Sequence, residues 1–234
     1  MNYNKNLKKN ITFFVILCLA MAIVIFLLYN HFTSETTTNI STKNLIPSIH
    51  DAKINIKVNE KSVPYSSQGI EYNINFWILI NDYNYRLNED KIIVQKGNNY
   101  LNPSVMLEKN SNNLKIVVHT SFFNQNEESE SDIESESQQN FGAINDNTEI
   151  FRVSDIKLQK WININVSLID NNLDVFIDGK LTNSFVIQGY TKINTGNLNI
   201  CPDGGFNGYI TKLSYTNKSL SSKQIYSIFK KGPN

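Results

Sequence analysis

The sequence contains few cysteines and arginines, and both shortages exclude classes of function. Its two cysteines are Cys18, in an apolar run, and Cys201, far away along the chain. We therefore expect neither an internal disulfide nor a Cys/His zinc site. Only two of its 22 basic residues are arginines, and the formal net charge is +1. Nucleic-acid binding needs a basic surface that neutralises phosphates, so this balance argues against a nucleic-acid partner.

The N-terminus carries a long apolar run over residues 11–29. As a helix with a rise of ~1.5 Å per residue, the run would span about 28 Å, close to the hydrocarbon core of a bilayer. Three lysines lie in residues 1–10 and no Lys or Arg follows the run until Lys43. This asymmetry predicts a cytosolic tail over residues 1–10, a transmembrane signal-anchor helix and a type II single-pass protein. A cleaved signal peptide is the alternative, but no small-x-small cleavage site follows the run.

Residues 30–49 are rich in Asn, Thr and Ser and predict a stalk, followed by one domain over residues 50–234. Three Asn-x-Ser sequons are candidate glycosylation acceptors in a secretory lumen, at Asn39, Asn165 and Asn217. Residues 124–140 are almost entirely Asn, Gln, Ser, Glu and Asp, which predicts a solvated acidic loop inserted between two strands.

The domain has the alternating pattern of antiparallel strands. In residues 161–168, Ile, Val and Leu alternate with Asn and Ser, which predicts a strand with one buried and one solvated face, and Asn165 on the solvated face. Asp178-Gly179 predicts a two-residue hairpin turn, because both central positions of a type I′ turn need positive φ. Further strands are predicted at residues 54–58, 72–80, 91–97, 105–107, 114–119, 184–187 and 209–215. A short amphipathic helix is predicted within residues 219–231, with Ser221 or Ser222 as its N-cap.

The order of these motifs resembles the laminin-G-like, or concanavalin A-like, jelly-roll family. The motifs that carry the resemblance are the Ile-Asn-Phe-Trp of residues 74–77 and the segments at residues 161–167, 173–179, 204–210 and 220–225. The resemblance implies an all-β antiparallel jelly-roll sandwich with a short C-terminal helix, covering residues 50–234. It also implies binding of sugars or proteins, and calcium is a cofactor that it alone suggests. One departure is Thr211, where many relatives carry an acidic residue.

One carboxylate triplet, Glu130, Asp132 and Glu134, spells the E-x-D-x-E pattern of a glucanase family that shares this fold. A retaining glycosidase needs its acid in an apolar setting that raises the pKa of the carboxyl. Because the triplet lies in the polar segment of residues 124–140, we expect a loop and no catalysis. We also find no Gly-x-Ser-x-Gly, no phosphate-binding glycine loop and no His-Glu-x-x-His.

These observations predict a membrane-anchored, lectin-like module that recognises a glycan or glycoprotein and is not an enzyme. Protein–protein adhesion by the same fold is the alternative, and glycoside hydrolysis is the least favoured hypothesis. The candidate binding residues are Tyr83, Tyr85 and Arg86, because aromatic rings cover the apolar faces of sugars and Arg satisfies hydroxyls. The other interpretation is a polar connecting loop whose tyrosines pack on the rim. In that case, the candidate binding site is the opposite rim, around Asn98, Asn99 and Tyr100.

Overall fold

The computed structural model describes residues 3–34, 40–64, 70–123, 144–192 and 195–233. The chain forms two compact units, Met1–Ile40 and Ser41–Asn234. The first unit contains one helix, α1 (Tyr3–Ser34). The side chains described in α1, those of residues 13–28, are all exposed.

The structure does not support the predicted transmembrane helix. A membrane-spanning helix needs about 20 consecutive apolar residues. In the part of the chain that the structure describes, no helix is both long enough and apolar enough to cross a membrane.

The second unit is a sandwich of two antiparallel sheets, which confirms the predicted all-β class. In chain order, the strands are β1 (Thr42–Ile46), β2 (His50–Asp51), β3 (Ile56–Val58), β4 (Tyr72–Ile80), β5 (Lys91–Lys96), β6 (Ser104–Leu107), β7 (Leu114–Phe123), β8 (Ile144–Val153), β9 (Trp161–Ile169), β10 (Asn172–Ile177), β11 (Lys180–Val186), β12 (Tyr190–Thr191), β13 (Leu198–Ile200) and β14 (Gly208–Thr216). Sheet A has the order β1-β14-β4-β9-β10-β11, with β2 also paired to β14. Sheet B has the order β12-β7-β6-β5-β13-β3, with β8 paired to β7.

The core lies between the two sheets and is built by alternation along the strands. On β4, the inward side chains are buried, and they pack with inward side chains of β5, β7, β9 and β14. The apolar alternation of β9 predicted this face correctly. The turn between β10 and β11 has φ of 50° at Asp178 and 73° at Gly179, as the predicted hairpin requires.

The outward face of sheet A differs from the sequence prediction. The face of β9 that was predicted to be solvated is buried, and Asn163 and Asn165 are both fully inaccessible. Asn165 exchanges two side-chain hydrogen bonds with Asn73 on β4, at 2.8 and 2.9 Å. The Asn163 amide donates to Asn75 Oδ1 at 2.9 Å. The physical reason is that buried amides are tolerated when they hydrogen-bond to each other across neighbouring strands.

A C-terminal helix, α2 (Ser222–Phe229), packs against this outward face. Ser221, one of the two predicted N-caps, is the N-cap of the helix and forms a capping box with Gln224. The Phe229 ring stacks on Trp77 of β4 with 5.6 Å between centroids. Ile225 of the helix is completely buried. The helix therefore gives sheet A a second apolar contact, on the side away from the main core.

The boundaries differ from the prediction at the start of the domain. Strand β1 pairs with β14 from Thr42 onwards, so the first strand lies inside the segment predicted as a stalk over residues 30–49. Strand β8 was not predicted, because only part of its ten residues is apolar. The Glu130, Asp132 and Glu134 triplet and Asn39 lie outside the described residues.

Candidate functional site

The predicted binding loop over residues 81–90 lies beside the turn at residues 201–207. Asp82 organises the start of this loop, because its Oδ1 accepts hydrogen bonds from the backbone amides of Asn84 at 2.9 Å and Tyr85 at 3.2 Å. Its other oxygen accepts from the side-chain amide of Asn207. The loop and the turn are thus joined by side-chain hydrogen bonds.

Tyr83 is directed toward the core. It is half-buried and packs against the core cluster. Burial raises the pKa of its hydroxyl well above the ordinary range, and that hydroxyl has no hydrogen-bond partner within the described structure. The Lys91 ammonium lies 5.6 Å from the centre of the Tyr83 ring. Tyr83 therefore contributes packing to this rim.

The Tyr85 and Arg86 side chains are held by backbone carbonyls of the neighbouring turn. The Tyr85 hydroxyl donates to Gly204 O at 2.9 Å. The Arg86 guanidinium donates to Asp203 O and to the Glu89 carboxylate, with a longer contact of 3.5 Å to Gly205 O. The predicted residues do come together on one rim, but most of the guanidinium donors are used within the protein.

A second polar group lies on the outward face of sheet B. Three residues form one row across β12, β7 and β8, because Ser121 pairs with Tyr190 on one side and with Asp146 on the other. Strand β7 directs Leu114, Ile116 and Val118 inward, so alternation directs Ser121 outward. Tyr190 is 62% exposed, the largest exposed fraction of any tyrosine in the described sandwich.

Three further residues adjoin this row. The Lys192 ammonium lies 3.7 Å from the centre of the Tyr100 ring and forms an ion pair with Asp146. The Tyr100 hydroxyl donates to Asp146 Oδ2 at 3.1 Å. The His119 ring meets the Tyr100 ring edge to face, with 6.1 Å between centroids. We refer to Tyr100, His119, Ser121, Asp146, Tyr190 and Lys192 as the sheet B platform.

Backbone contacts fix the position of the platform residues. His119 Nδ1 accepts a hydrogen bond of 2.6 Å from the Leu101 amide, so Nδ1 carries no proton and the other ring nitrogen is the donor. The Lys192 amide donates to His119 O at 3.0 Å. The loop that carries Tyr100 and the segment that carries Lys192 are therefore both attached to the same strand, β7.

The ion pair in the platform changes the titration of both partners. The hydrogen bond with Lys192 lowers the pKa of Asp146, and the Tyr100 hydroxyl adds to this effect. Desolvation acts to lower the pKa of Lys192, but the hydrogen bonds with Asp146 and Tyr100 outweigh it and raise the pKa. Both groups remain charged at neutral pH. A carboxylate has about four lone-pair sites, so Asp146 can still accept hydroxyl donors from a ligand.

Only a weak signal for this platform is present in the sequence. Tyr100 was named as part of the opposite rim, but Asp146 and Lys192 are each 46 residues from their partners in the platform. Asn98 and Asn99 occupy the same loop and were named with Tyr100. The missing information was the pairing of β8 and β12 with β7, which no local pattern shows.

The predicted glycosylation sites have different surroundings. Asn165 is buried and paired with Asn73, so the folded domain does not present it as an acceptor. The Asn217 side-chain oxygen accepts a hydrogen bond of 2.8 Å from the Ser41 amide. Within the described residues, no group of three or more His, Cys, Asp and Glu side chains could hold a metal ion.

Comparison with solved structures finds this sandwich in toxin binding domains. The binding domain of botulinum neurotoxin DC, in complex with sialylT, has a TM-score of 0.50 and 14% identity, covering 82% of this chain and 46% of that chain. A tryptophan-to-alanine mutant of HCR/D has a TM-score of 0.51 and 14% identity, with coverages of 82% and 46%. The botulinum neurotoxin serotype G binding domain scores 0.48 at 15% identity, with coverages of 83% and 47%.

At this level of identity the likeness shows the fold alone. The chain spans about half the length of the structures that it matches. No protein-family model and no curated protein matches the chain. The class established here is thus an antiparallel β-sandwich with a short C-terminal helix, and the resemblance to the laminin-G-like family stays a prediction.

Proposed function

We propose that the sandwich over residues 41–233 is a glycan-binding module and that the sheet B platform is its binding surface. The observation that carries the proposal is the row Tyr190–Ser121–Asp146, which places an exposed aromatic ring and a carboxylate on either side of a hydroxyl. Sugar rings have apolar faces and hydroxyl edges, and this row offers a partner for each.

The dimensions of the row fit one sugar ring. Neighbouring strands lie about 4.8 Å apart, so Tyr190 and Asp146, two strand spacings apart, are separated by roughly 10 Å at the backbone. A pyranose stacked on the Tyr190 ring would direct its edge hydroxyls toward Ser121 and Asp146. The Tyr100 hydroxyl and the Lys192 ammonium hold the carboxylate in place through their hydrogen bonds. This preorganisation lowers the entropy cost of binding.

The fold supports the proposal by analogy. One neighbour with the same sandwich is a binding domain in complex with sialylT. Folds host many functions, so this analogy adds to the platform's chemistry and does not replace it. Protein–protein adhesion is the second hypothesis, since a tyrosine-rich surface with few unpaired charges also suits a protein interface.

The predicted site at Tyr83, Tyr85 and Arg86 remains a competing location for the same function. Its side chains already hydrogen-bond to the turn at residues 203–205. A glycan there would have to replace those internal contacts, whereas Tyr190 is 62% exposed.

A glycan array with the full chain tests the proposal, followed by Tyr190→Ala and Asp146→Asn for the glycans that bind. We expect Tyr190→Ala to weaken binding by about tenfold or more, since truncating a central aromatic contact costs more than about 1.4 kcal/mol. Asp146→Asn keeps a side chain that can hydrogen-bond a hydroxyl, so we expect it to change the affinity for a neutral glycan by less than about threefold. Tyr209→Ala is the control, because Tyr209 is also an exposed tyrosine, at 42%, and lies on the other sheet. Absence of any saturable glycan binding would favour the adhesion hypothesis, and weakening by Tyr209→Ala alone would move the site to sheet A.

A further inference from the structure

We infer that the sheet B platform accepts neutral sugars and excludes acidic ones. This inference rests on the proposed glycan-binding function and adds the class of ligand. It follows from the way in which the cations around the platform are paired with carboxylates.

Three cations on this face each have an anionic partner. The cations carried by β7, by β8 and by the residue after β12 are Lys115, Arg152 and Lys192. Lys115 pairs with Asp90 at 2.6 Å, and Arg152 pairs with Glu108 at 2.6 Å. Lys192 pairs with Asp146. An acidic sugar that paired with Lys192, the lysine of the platform, would therefore have to displace the Asp146 carboxylate.

Lys192 is the cation nearest to the proposed ligand, and it is the least available. Its ammonium contacts the face of the Tyr100 ring as well as the Asp146 carboxylate. The Asp146 side chain is 54% exposed, whereas the Lys192 side chain is 16% exposed. An incoming ligand therefore meets the negative charge of Asp146 more directly than the positive charge of Lys192. A sugar carboxylate placed within about 4 Å of Asp146 would be repelled, whereas a hydroxyl there would donate a hydrogen bond.

The sequence adds negative charge between β7 and β8. Ser121 and Asp146 lie two residues from the facing ends of β7 and β8. The chain between those ends, residues 124–143, contains six acidic residues and no basic residue. Charges of one sign repel an anionic ligand when they lie within about 10 Å, the screening length at ordinary ionic strength.

A matched pair of glycans tests the inference: sialyl-T and the same T disaccharide without sialic acid. Titrations with the full chain at about 0.05 M and 0.5 M salt, chosen to change the screening length, should show the neutral sugar bound at least about tenfold more tightly. The preference should decrease at the higher salt concentration.

The decisive variant is Asp146→Asn. It removes the negative charge, keeps a side chain that can hydrogen-bond a hydroxyl, and releases Lys192 from its ion pair. We expect the affinity for the sialylated glycan to rise by about tenfold over the wild type. The affinity for the neutral glycan should change by less than about threefold, whereas Tyr190→Ala should weaken it by about tenfold or more. Asp174→Asn is the control, because Asp174 is a carboxylate on the outward side of sheet A that accepts a hydrogen bond from Ser184.

The outcomes separate the inference from the function on which it rests. If neither glycan binds, the proposed function fails. If the wild-type chain binds the sialylated glycan as tightly as the neutral one, glycan binding stands and the exclusion of acidic sugars is wrong. If Asp146→Asn leaves the preference unchanged while its melting temperature matches the wild type, Asp146 is not its cause. Replacing all six acids of residues 124–143 by Gln or Asn then measures the share of the tethered charge.

Discussion

Polar residues occupy alternate positions on the outward faces of both sheets, but they are buried on sheet A and accessible to solvent on sheet B. On sheet A, the side chains of Asn73 and Asn165 are buried and hydrogen-bonded to each other. On sheet B, Ser121 and Asp146 remain accessible to solvent. One difference between the faces is the C-terminal helix, which packs on sheet A through Phe229 and Trp77.

This comparison explains which face can bind a ligand. The Asn73 and Asn165 amides of sheet A have each other as partners, so they stabilise the contact between two strands. The carboxylates and cations of sheet B are paired at the surface, where solvent or a ligand hydroxyl can share them. A period-two pattern shows that a strand has two faces, but it does not show whether a distant helix will cover the polar one.

The largest effect is expected from Trp77→Ala, which removes the aromatic contact that the helix makes with sheet A. Trp77 is 5% exposed, and truncating a buried Trp typically costs about 3–5 kcal/mol. Denaturant unfolding of the full chain measures the change in the free energy of unfolding. Tyr226→Ala, in the exposed part of the same helix, should cost less than about 1 kcal/mol. Equal effects for the two substitutions would mean that the helix does not stabilise sheet A through Trp77.

The sequence predicted most of the sandwich because most of its strands carry local signals. Strand β4 was predicted with the boundaries Tyr72–Ile80 that the structure shows, and the Asp178-Gly179 turn followed from backbone sterics. The solvated face of β9 and the solvated position of Asn165 were wrong, because amide pairing across strands is a tertiary property. The platform needed the register of β8 and β12 against β7, which depends on residues far apart in the chain.

A smaller effect is expected from Asn165→Ala, which leaves the buried Asn73 amide without its partner. An unsatisfied buried polar group costs about 1–3 kcal/mol. The double variant Asn73→Ala/Asn165→Ala should cost less than the sum of the two single variants, by about 0.5–3 kcal/mol. Ser121→Ala on sheet B is the comparison and should change stability by less than about 0.5 kcal/mol. Simple additivity in the Asn73–Asn165 cycle would show that the amide pair is not coupled.

Tyr85→Phe tests the rim that the sequence proposed as the binding site. It removes the hydrogen bond from the Tyr85 hydroxyl to Gly204 O and keeps the ring. We expect a loss of about 1 kcal/mol in unfolding free energy, typical of one hydrogen bond, with unchanged glycan affinity. Weaker glycan binding at full stability would instead place the ligand on this rim. Tyr83→Ala should lower the melting temperature as well, because Tyr83 packs against the core.

The smallest effect is expected from Arg152→Gln, which breaks an ion pair on the solvated side of sheet B. The Arg152 side chain is about half exposed, and its Nε lies 2.6 Å from Glu108 Oε1. Exposed pairs of this kind contribute about 0–1 kcal/mol. The hydrogen bond from Arg152 lowers the pKa of Glu108 below its ordinary value of 4.5.

The pH dependence of this small effect has a definite sign. A carboxyl whose pKa is lowered by folding stabilises the protein above its unfolded pKa, and that contribution disappears as pH falls through the folded pKa. The difference in unfolding free energy between wild type and Arg152→Gln should therefore be constant near neutral pH and vanish in acid, below the ordinary Glu range. High salt should reduce it at neutral pH as well. A difference that grows as the pH falls would show that Arg152 acts through some group other than the Glu108 carboxylate.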